Sequence, residues 1–482
     1  MNLKRQLDKL FNPRSVALIG ASGTFGKWGF NLLSLLLSSK DREIYAVNKN
    51  EAEILGLKTY RSIMEVPKPV DFAVITVPFK DVPLAMKDCV QKGVKAAVVI
   101  SGGLAETGRE GAKIEREVVE IARRGGIRFV GPNCMGHLDT FSKFSTVIFL
   151  PPVRKGPVAL ISQSGNSGQS IIYSGWEVGL GFSKYISSGN EADLHFEDYL
   201  EYLAQDEKTK VILGYVEGLR EGRRFYELAT EITKKKPIVI MKAGHTLAGA
   251  RAALSHTASL AGSDVICDSA FRQAGVIRVD EISELIDVAL ALLGQPLPRG
   301  RRVGVISTGG GMGVMAADAL MSQGLELPQL SPETMEKLNS ILSNRWSRGN
   351  PVDPGGDAFS YRCLWSLIED ENIDATMIIG SAGVAGSFLD WFTIPDSMRS
   401  ELDQWMKTAE ASELKDLERV KEMMNRYQKP IIISGMGIPL VRKGAVYESM
   451  EQNYLVPYVT PERAAKALAH LVEYSEYLAI SK

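Results

Sequence analysis

The chain has 482 residues, of which 45% are hydrophobic and 23% are charged, and its formal net charge at pH 7 is -1. At roughly 150 residues per domain this length predicts about three domains, and the composition is that of an ordinary globular protein. The balanced charge argues against nucleic acid as a partner. The four cysteines are far apart and form no C-x-x-C pair, which argues against a zinc site or a disulfide framework. We therefore expect no metal site.

Two features of the sequence bear on the compartment. Residues 1–20 lack the continuous apolar segment of a signal peptide, and the longest apolar runs are far shorter than the ~20 residues that span a bilayer. Widely separated cysteines also suit a reducing compartment. The sequence predicts a cytoplasmic protein that has no membrane partner.

Short apolar segments alternate with helix-length segments in chain order, beginning with SVALIG, EIYAVN, FAVITV, AAVVIS and RFVGPN. This alternation predicts βαβ units and parallel, doubly wound sheets, which bind ligands at the carboxyl ends of their strands. Stretches rich in Pro, Gly and basic residues at 149–157 and 294–302 mark two linkers. We predict an α/β protein with a Rossmann-like domain over residues 1–150 and two flavodoxin-like domains over 151–298 and 299–482.

The glycine-rich turn ASGTFGKWG follows the first strand and contains Gly20, Gly23 and Gly26. This spacing differs from the G-x-G-x-x-G pattern of dinucleotide-binding sites. A site for NAD also places an acidic residue at the end of the next strand. The residues there are instead Asn48, Lys49 and Asn50. A lysine suits a ribose phosphate, and coenzyme A (CoA) carries one. These residues therefore predict that the first domain binds CoA and not NAD.

The second and third domains open with one repeated pattern, VALISQSGNSG and VGVISTGGGMG. When Ser162 is aligned with Ser307, two pairs of glycines coincide, Gly165 with Gly310 and Gly168 with Gly313. Close packing of a strand-to-helix turn would by itself explain such glycines. A helix start also presents unpaired N–H groups, and its dipole favours an anion by ~0.3–2 kcal/mol. The pattern therefore predicts phosphate contacts at Ser164, Gly165, Asn166, Gly309, Gly310 and Gly311.

Seven segments stand in a specific order: ASGTFGKWG, GPNCMGH, SQSGNSG, GYVEG, SHTAS, STGGGMG and NPVDPGG. In this order they resemble the α subunit of ADP-forming acyl-CoA synthetases, which are relatives of succinyl-CoA synthetase. The resemblance covers essentially the whole chain. It implies an acid–thiol ligase of the acetate–CoA ligase (ADP-forming) type. Such an enzyme interconverts acyl-CoA, ADP and phosphate with free acid, ATP and CoA, through an acyl phosphate and a phosphohistidine on a mobile loop.

The resemblance also implies where the ligands lie. CoA is expected over the glycine-rich turn, the ends of two further strands and the GPNC segment, at Gly20, Ser22, Gly23, Thr24, Asn48, Asn50, Ile100, Ser101, Gly102 and Asn133. The acyl group is expected at the helix start Ser164–Asn166, with Gln169 facing the same crevice one turn later. That helix start supplies no cation for a second carboxylate, so we expect a monocarboxylic acid such as acetate or propionate.

His256 lies in RAALSHTASLAG, among residues with very small side chains. A segment with few anchoring side chains has little to lose by moving, and a neutral imidazole is a good phosphoryl acceptor near pH 7. His245 shares this segment and is the alternative. The resemblance decides for His256 because SHTAS occupies the place of the phosphohistidine loop, although the succinate enzymes carry Gly-His-Ala there.

Glu217 ends an apolar strand, where an ordinary exposed carboxylate would also be found. By resemblance it is the glutamate that hydrogen-bonds the other ring nitrogen of the phosphohistidine. Glu191 and Asp193, in SSGNEADLH, are further candidates for that contact.

The chain contains no G-x-x-x-x-G-K-[ST] loop and no segment that resembles the ATP-grasp fold. A phosphohistidine without a nucleotide site in the same chain implies a β subunit with an ATP-grasp domain, in an α2β2 assembly. ADP or ATP and Mg²⁺ would then bind to that partner. Three alternatives remain open: a regulatory CoA-binding protein without catalysis, a nicotinamide oxidoreductase and a succinate-specific CoA ligase.

Overall fold

The computed structural model describes residues 3–39, 41–246, 248–249, 264–355, 361–380, 395–435 and 444–481. The chain divides into two compact units. The first comprises Met1–Glu177 and Gly181–Ile282, and the second comprises Val178–Leu180 and Ser283–Lys482. Among the helices of the described residues, none combines the length and apolar character that crossing a bilayer requires.

The first unit contains a seven-stranded sheet in the order β3-β4-β2-β1-β5-β6-β7. Its strands are β1 (Ser15–Ile19), β2 (Glu43–Val47), β3 (Glu53–Ile54), β4 (Leu57–Tyr60), β5 (Phe72–Ile75), β6 (Ala96–Val99) and β7 (Arg128–Val130). Its helices are α1 (Leu3–Phe11), α2 (Trp28–Leu37), α3 (Val82–Lys92) and α4 (Arg109–Arg124). Apart from the antiparallel pair β3–β4, the neighbours are parallel. Without the short β3, this is the Rossmann order 3-2-1-4-5-6, so the predicted Rossmann-like fold is confirmed.

A second seven-stranded sheet of the same unit has the order β14-β13-β12-β10-β11-β8-β9. Its strands are β8 (Gly136–Asp139), β9 (Phe144–Ser145), β10 (Lys155–Ser162), β11 (Phe182–Ser187), β12 (Val211–Val216), β13 (Ile238–Lys242) and β14 (Ile277–Val279). Its helices are α5 (Gly165–Glu177), α6 (Phe196–Ala204), α7 (Gly222–Thr233) and α8 (Asp264–Gln273). The parallel strands β10 to β14 follow the flavodoxin-like order 2-1-3-4-5.

The antiparallel strands β8 and β9 form the edge of this second sheet, next to β11. The buried Lys184 of β11 lies 3.1 Å from Asp139 of β8, and this ion pair joins the β8–β9 hairpin to the sheet. Lys184 also lies 2.8 Å from Asp206. The predicted domain boundary at residue 150 therefore falls after two strands that pair with the second sheet.

His137 of β8 is fully buried among Phe11, Phe72 and Phe144, and its Nε2 lies 2.8 Å from the carbonyl oxygen of Leu10. Burial lowers the pKa of His137 to about 4, so the ring is neutral at pH 7. Its role is to pack the core.

The second unit contains the parallel sheet β15-β16-β17. Its elements are α9 (Ile282–Gly294), β15 (Val303–Ser307), α10 (Gly310–Ser322), α11 (Pro332–Ile341), α12 (Tyr361–Glu369), β16 (Ala375–Ile379), α13 (Arg399–Tyr427), β17 (Ile431–Ser434), α14 (Ala445–Gln452) and α15 (Pro461–Ile480). Parallel bridges add Val352 beside Ile306 and Tyr458 beside Ser434. With these edges the order is again 2-1-3-4-5. The helix α9 lies almost wholly in this unit, whereas the boundary predicted at residue 298 would put α9 in the second domain. The limits of the three domains stay a prediction.

The local sequence explains why these elements form. Every residue of β1, β5 and β6 is buried, as expected for parallel strands that are covered on both faces. Hydroxyl groups start two helices of the second unit: Ser331 accepts the N–H of Thr334 and begins α11, and Thr460 accepts the N–H of Arg463 and begins α15. A proline follows each cap, where its missing N–H costs nothing.

Candidate functional site

A cleft of about 760 Å³ opens in the first unit at the carboxyl ends of strands from both sheets. This is the edge at which doubly wound sheets bind ligands, and the volume is that of a small-molecule site. The lining comes from the turns after β1, β5, β6, β7, β10 and β11. These residues are Gly20, Ser22, Lys27, Trp28, Gly29, Thr76, Val77, Pro78, Phe79, Ile100, Ser101, Gly102, Asn133, Cys134, Met135, Gln163, Ser164, Gly165, Asn166, Gly189 and Asn190.

Most of the residues predicted for CoA and for phosphate meet in this cleft. The lining includes Gly20, Ser22, Ile100, Ser101, Gly102 and Asn133, together with Ser164, Gly165 and Asn166. It does not include Gly23, Thr24, Asn48, Asn50 or Gln169. Gly309, Gly310 and Gly311 belong to the second unit. His256 lies outside the described residues.

The glycine-rich turn needs its glycines because two backbones approach closely. Gly20 has φ +98°, and a Cβ there would stand 2.6 Å from the carbonyl oxygen of Thr76. A Cβ on Gly29, in the first turn of α2, would overlap the carbonyl oxygen of Gly20. The start of α2 is thereby held against the end of β1, and Lys27 and Trp28 from this start line the cleft.

Asn48 holds the glycine-rich turn through its own hydrogen bonds. Its Nδ2 donates to the carbonyl oxygen of Ala21 at 2.7 Å, and its Oδ1 accepts the N–H groups of Asn50 at 2.7 Å and Glu51 at 3.0 Å. The Glu51 carboxylate accepts the N–H of Gly23 at 3.1 Å. Asn48 and Glu51 therefore organise the turn. In the sequence, Glu51 is the acidic residue that directly follows Asn48-Lys49-Asn50.

Asn133 lines the cleft and connects the two sheets through its hydrogen bonds. Its backbone N–H donates to Ser101, and its Nδ2 donates to Oδ1 of Asn190 at 3.2 Å. Nδ2 of Asn190 in turn donates to Glu106 at 2.6 Å and to Glu115 at 2.9 Å. Burial raises the pKa of Glu115, and the hydrogen bond from Asn190 opposes that rise. Asn190 lines the cleft, and sequence reasoning did not single it out.

The SQSGN turn and the STGGG turn have the same local geometry. The hydroxyl of Ser162 donates to the carbonyl oxygen of Ser164 at 2.6 Å, and that of Ser307 donates to Gly309 at 2.7 Å. In each case the helix begins one residue later, at Gly165 or at Gly310. The internal repeat predicted from the two glycine patterns is therefore present as a structural repeat.

The two helix starts differ in their surroundings. A Cβ on Gly165 would overlap the side chain of Met135, and a Cβ on Gly168 would overlap Tyr185. A Cβ on Gly310 would stand 3.1 Å from a carboxylate oxygen of Asp353. The start of α10 thus has an acidic neighbour, whereas the start of α5 lies in the cleft with an apolar neighbour.

Gln169, predicted to face the crevice, is not among the residues that line the cleft. Its Nε2 donates to the carbonyl oxygen of Ile148 at 3.0 Å, which ties α5 to the segment before β10. A role in the acyl pocket stays a prediction.

Glu217 directly follows β12 and is 7% exposed. Its backbone N–H donates to Oε1 of Gln163 at 2.6 Å, and its carbonyl oxygen accepts from Nζ of Lys242 at 2.9 Å. Burial lowers the pKa of Lys242. The backbone that carries the Glu217 carboxylate is thus held from two sides, next to the turn that begins α5.

The cleft combines groups that suit a phosphorylated ligand with a long, weakly polar chain. Two helix starts and Lys27 offer positive potential, while Trp28, Val77 and Phe79 offer apolar surface. Among the lining residues, all of them in the described part of the chain, Lys27 is the one with a charged side chain. No cluster of metal-ligating side chains occurs within the described ranges. A Rossmann-like and a flavodoxin-like sheet that share such a cleft are typical of α/β proteins that bind an organic phosphate such as CoA.

Comparison with known proteins agrees with this class. Residues 14–139 match the CoA binding domain family, and residues 155–292 match the succinyl-CoA ligase-like flavodoxin domain family. Two relatives from Pyrococcus furiosus are α subunits of acetate–CoA ligases (ADP-forming). The chain is 44% identical to that of ligase II over 77% of this chain and 82% of the relative. It is 39% identical to that of ligase I over 99% of both chains.

A solved structure is also similar over the whole chain. It is the dinucleotide-forming acetyl-coenzyme A synthetase 1 of Candidatus Korarchaeum cryptofilum in complex with phosphate and ADP. The identity is 32% and the TM-score 0.80, over 98% of this chain and 97% of that chain.

The chain belongs to the family of α subunits of ADP-forming acetate–CoA ligases. It is a ligase subunit with a CoA-binding domain. The function predicted from the sequence is confirmed in preference to a noncatalytic CoA-binding protein and a succinate-specific ligase.

Proposed function

We propose that the chain is the α subunit of an enzyme that interconverts an acyl-CoA, ADP and phosphate with free acid, ATP and CoA. The acid is a short monocarboxylic acid such as acetate or propionate. The observation that carries the proposal is the shared cleft, in which the glycine-rich turn of the first sheet faces the SQSGN turn of the second.

The phosphates of CoA lie at the start of α2, where N–H groups, the helix dipole and Lys27 favour negative charge. The pantetheine chain runs along Trp28, Phe79 and Ile100 towards the start of α5. These residues all line the cleft, which supports this path. Because Lys27 is assigned to the CoA phosphates, no charged lining residue is left to pair with a second carboxylate, and this favours a monocarboxylic acid.

The start of α5 at Ser164, Gly165 and Asn166 binds phosphate and stabilises the charge that develops when phosphate attacks the acyl carbonyl. The thioester bond breaks, CoA leaves as the thiol, and an acyl phosphate forms. An imidazole nitrogen of His256 then takes the phosphoryl group and releases the free acid. Glu217 accepts a hydrogen bond from the other ring nitrogen and stabilises the phosphorylated imidazole.

Phosphohistidine delivers the phosphoryl group to ADP on a partner subunit. We assign to that β subunit an ATP-grasp domain that holds ADP or ATP with Mg²⁺, and we propose an α2β2 assembly in the cytoplasm. The supporting observations are the α-subunit names of the relatives and the absence of a phosphate-binding P-loop motif from this sequence.

The test uses the chain reconstituted with its partner subunit, acetyl-CoA and ³²P-labelled phosphate. We expect an alkali-stable label on the peptide that contains His256. His256→Ala should abolish the label and ATP formation while the dissociation constant for CoA stays within twofold. His245→Ala is the matched control, and it should retain both activities. Label that persists in His256→Ala, or loss of label in His245→Ala alone, would contradict the assignment.

A further inference from the structure

The side chain of Gln163 lies between the turn that begins α5 and the segment Glu217–Gly218, which follows β12. It stands in the turn from β10 to α5 and is 8% exposed. Its Oε1 accepts the backbone N–H of Glu217 at 2.6 Å and that of Gly218 at 3.0 Å. Its Nε2 donates to the carbonyl oxygen of Gly218 at 2.7 Å and to Oε2 of Glu191 at 3.0 Å. One side chain thus contacts the backbone on both sides of the Glu217–Gly218 peptide.

These four contacts use the full capacity of a primary amide, which has two N–H donors and an oxygen with two acceptor positions. Gln163 lines the cleft, yet it has no hydrogen-bonding group left for a substrate. A reversed amide would place N–H groups against two backbone donors and its oxygen against Gly218 and Glu191. The orientation of the amide is therefore determined by its partners.

Glu191 holds the amide of Gln163 from the opposite side. It is 2% exposed and has φ +52°. Its Oε1 accepts from the hydroxyl of Ser188 at 2.7 Å, while its Oε2 accepts from Gln163. Burial raises the pKa of Glu191 to about 7, and nearby Glu197 adds to the rise, whereas Ser188, Gln163 and Arg220 oppose it. A buried carboxyl group needs hydrogen-bond partners, and both oxygens of Glu191 have one.

The contacts continue to the CoA side of the cleft. Asn190 precedes Glu191, and its Oδ1 accepts from Nδ2 of Asn133 at 3.2 Å. A connected path therefore runs from Asn133, a predicted CoA contact, through Asn190, Glu191 and Gln163 to the backbone of Glu217.

We propose that Gln163 is a positioning residue for phosphoryl transfer, and that Glu191 fixes its amide. Gln163 sets the position of the Glu217 carboxylate relative to the phosphate-binding start of α5. This inference rests on the proposed role of Glu217 as the partner of phosphohistidine. Without Gln163, the start of α5 could still bind phosphate and Glu217 could still accept a hydrogen bond. The position of the Glu217 carboxylate relative to the start of α5 would no longer be fixed.

The test compares Gln163→Glu, a substitution of nearly equal shape, with the wild-type chain in the reconstituted complex. The new carboxylate oxygen faces Glu191 and the carbonyl oxygen of Gly218 in place of the N–H donors. We expect the single-turnover rate of His256 phosphorylation from acetyl-CoA and phosphate to fall at least thirtyfold. The dissociation constant for CoA should stay within threefold, because no CoA contact is removed. Gln205→Glu, an exposed position in the same unit, is the matched control and should change neither quantity.

A second substitution separates positioning from a general loss of structure. In the double variant Gln163→Glu/Glu191→Gln, the new amide at position 191 can donate to the new carboxylate at 163. We expect the double variant to phosphorylate His256 at least tenfold faster than the single variant Gln163→Glu. If Gln163→Glu fails to fold, Gln163→Met replaces it with the same expected split between phosphorylation and CoA binding.

Three results would overturn the inference: a phosphorylation rate within threefold of wild type, an equal loss in phosphorylation and in CoA affinity, or no recovery in the double variant. Each of them leaves the His256 assignment intact, because the wild-type chain would still carry the label on that residue. Failure of the proposed function is seen separately, as absence of label on His256 in the wild-type complex.

Discussion

At the scale of single residues, the cleft depends on close approaches that leave no room for a side chain. Gly20 and Gly29 bring the end of β1 and the first turn of α2 into backbone contact, so that the helix start lies at the cleft. Asn48 and Glu51 hold the same turn from the end of β2. The binding surface is formed by backbone groups that other residues keep in place.

Gly29→Ala is expected to weaken CoA binding at least tenfold, or about 1.4 kcal/mol. The reason is that the new methyl group would overlap the Gly20 carbonyl and displace the start of α2. The measurement is a calorimetric titration with CoA, together with thermal unfolding of each variant. Gly222→Ala is the control, because a Cβ there meets no atom within 4 Å; it should bind CoA within twofold of wild type. Unchanged CoA affinity in Gly29→Ala would refute the role given to this contact.

At the scale of elements, polar contacts join the helices α9 and α15 of the second unit. Nε2 of His470 on α15 lies 3.0 Å from Glu284 on α9, and Nδ1 lies 3.5 Å from Glu473. Arg463 of α15 makes two hydrogen bonds to Asp287 of α9, at 2.6 and 2.7 Å. Burial lowers the pKa of His470, but the two glutamates outweigh it and raise the pKa to about 9.

Because the pKa of His470 is higher in the folded chain than its ordinary value of about 6.5, protonation stabilises the folded state. This contribution is complete below pH 6.5 and is lost as the pH rises through 9. The free energy of unfolding of wild type relative to His470→Gln should therefore fall by on the order of 3 kcal/mol between these pH values. Urea unfolding at pH 6, 7, 8 and 9 measures the difference.

His195→Gln is the control for this pH dependence. Burial lowers the pKa of His195, so its contribution has the opposite sign and shows no decline over the same range. A difference between wild type and His470→Gln that stays constant from pH 6 to 9 would show that folding does not raise the pKa of His470.

At the scale of the whole molecule, one architectural rule recurs in all three sheets. In the described residues the strand order reverses beside β1, β10 and β15, and the glycine-rich turn that follows each of these strands begins a helix. Two of these helix starts share a cleft whose lining carries one charged side chain. The proposed preference for a monocarboxylic acid rests on that distribution of charge.

A panel of acids assayed with the reconstituted complex tests this preference. We expect the catalytic efficiency with acetate or propionate to exceed that with succinate, because the lining offers no second cation for the distal carboxylate. A matched comparison of butyrate with succinate separates length from charge. Succinate better than acetate and propionate by more than about tenfold, or roughly 1.4 kcal/mol, would place a cation from another part of the enzyme in the pocket.

The amino-acid sequence by itself determined the class of fold, and it predicted several of the turns that line the cleft. Apolar runs alternating with helix-length segments predicted parallel sheets, and the glycine patterns predicted turns at which helices begin. Both properties depend on residues that are neighbours along the chain, as with Ser162 and the carbonyl oxygen of Ser164 two positions later. Local spacing and sterics control them, so they can be read from a single sequence.

Only the tertiary structure decided which side chains meet. It joined β8 and β9 to the second sheet, turned Gln169 towards Ile148, and used the amide of Asn48 within the glycine-rich turn. It also brought Gln163 to Glu217 and to Glu191, across 54 and 28 positions of the chain. Such contacts leave no periodic pattern in the sequence. They follow from the order in which the strands β10, β11 and β12 pair, which places the ends of three separate segments side by side at one edge of the sheet.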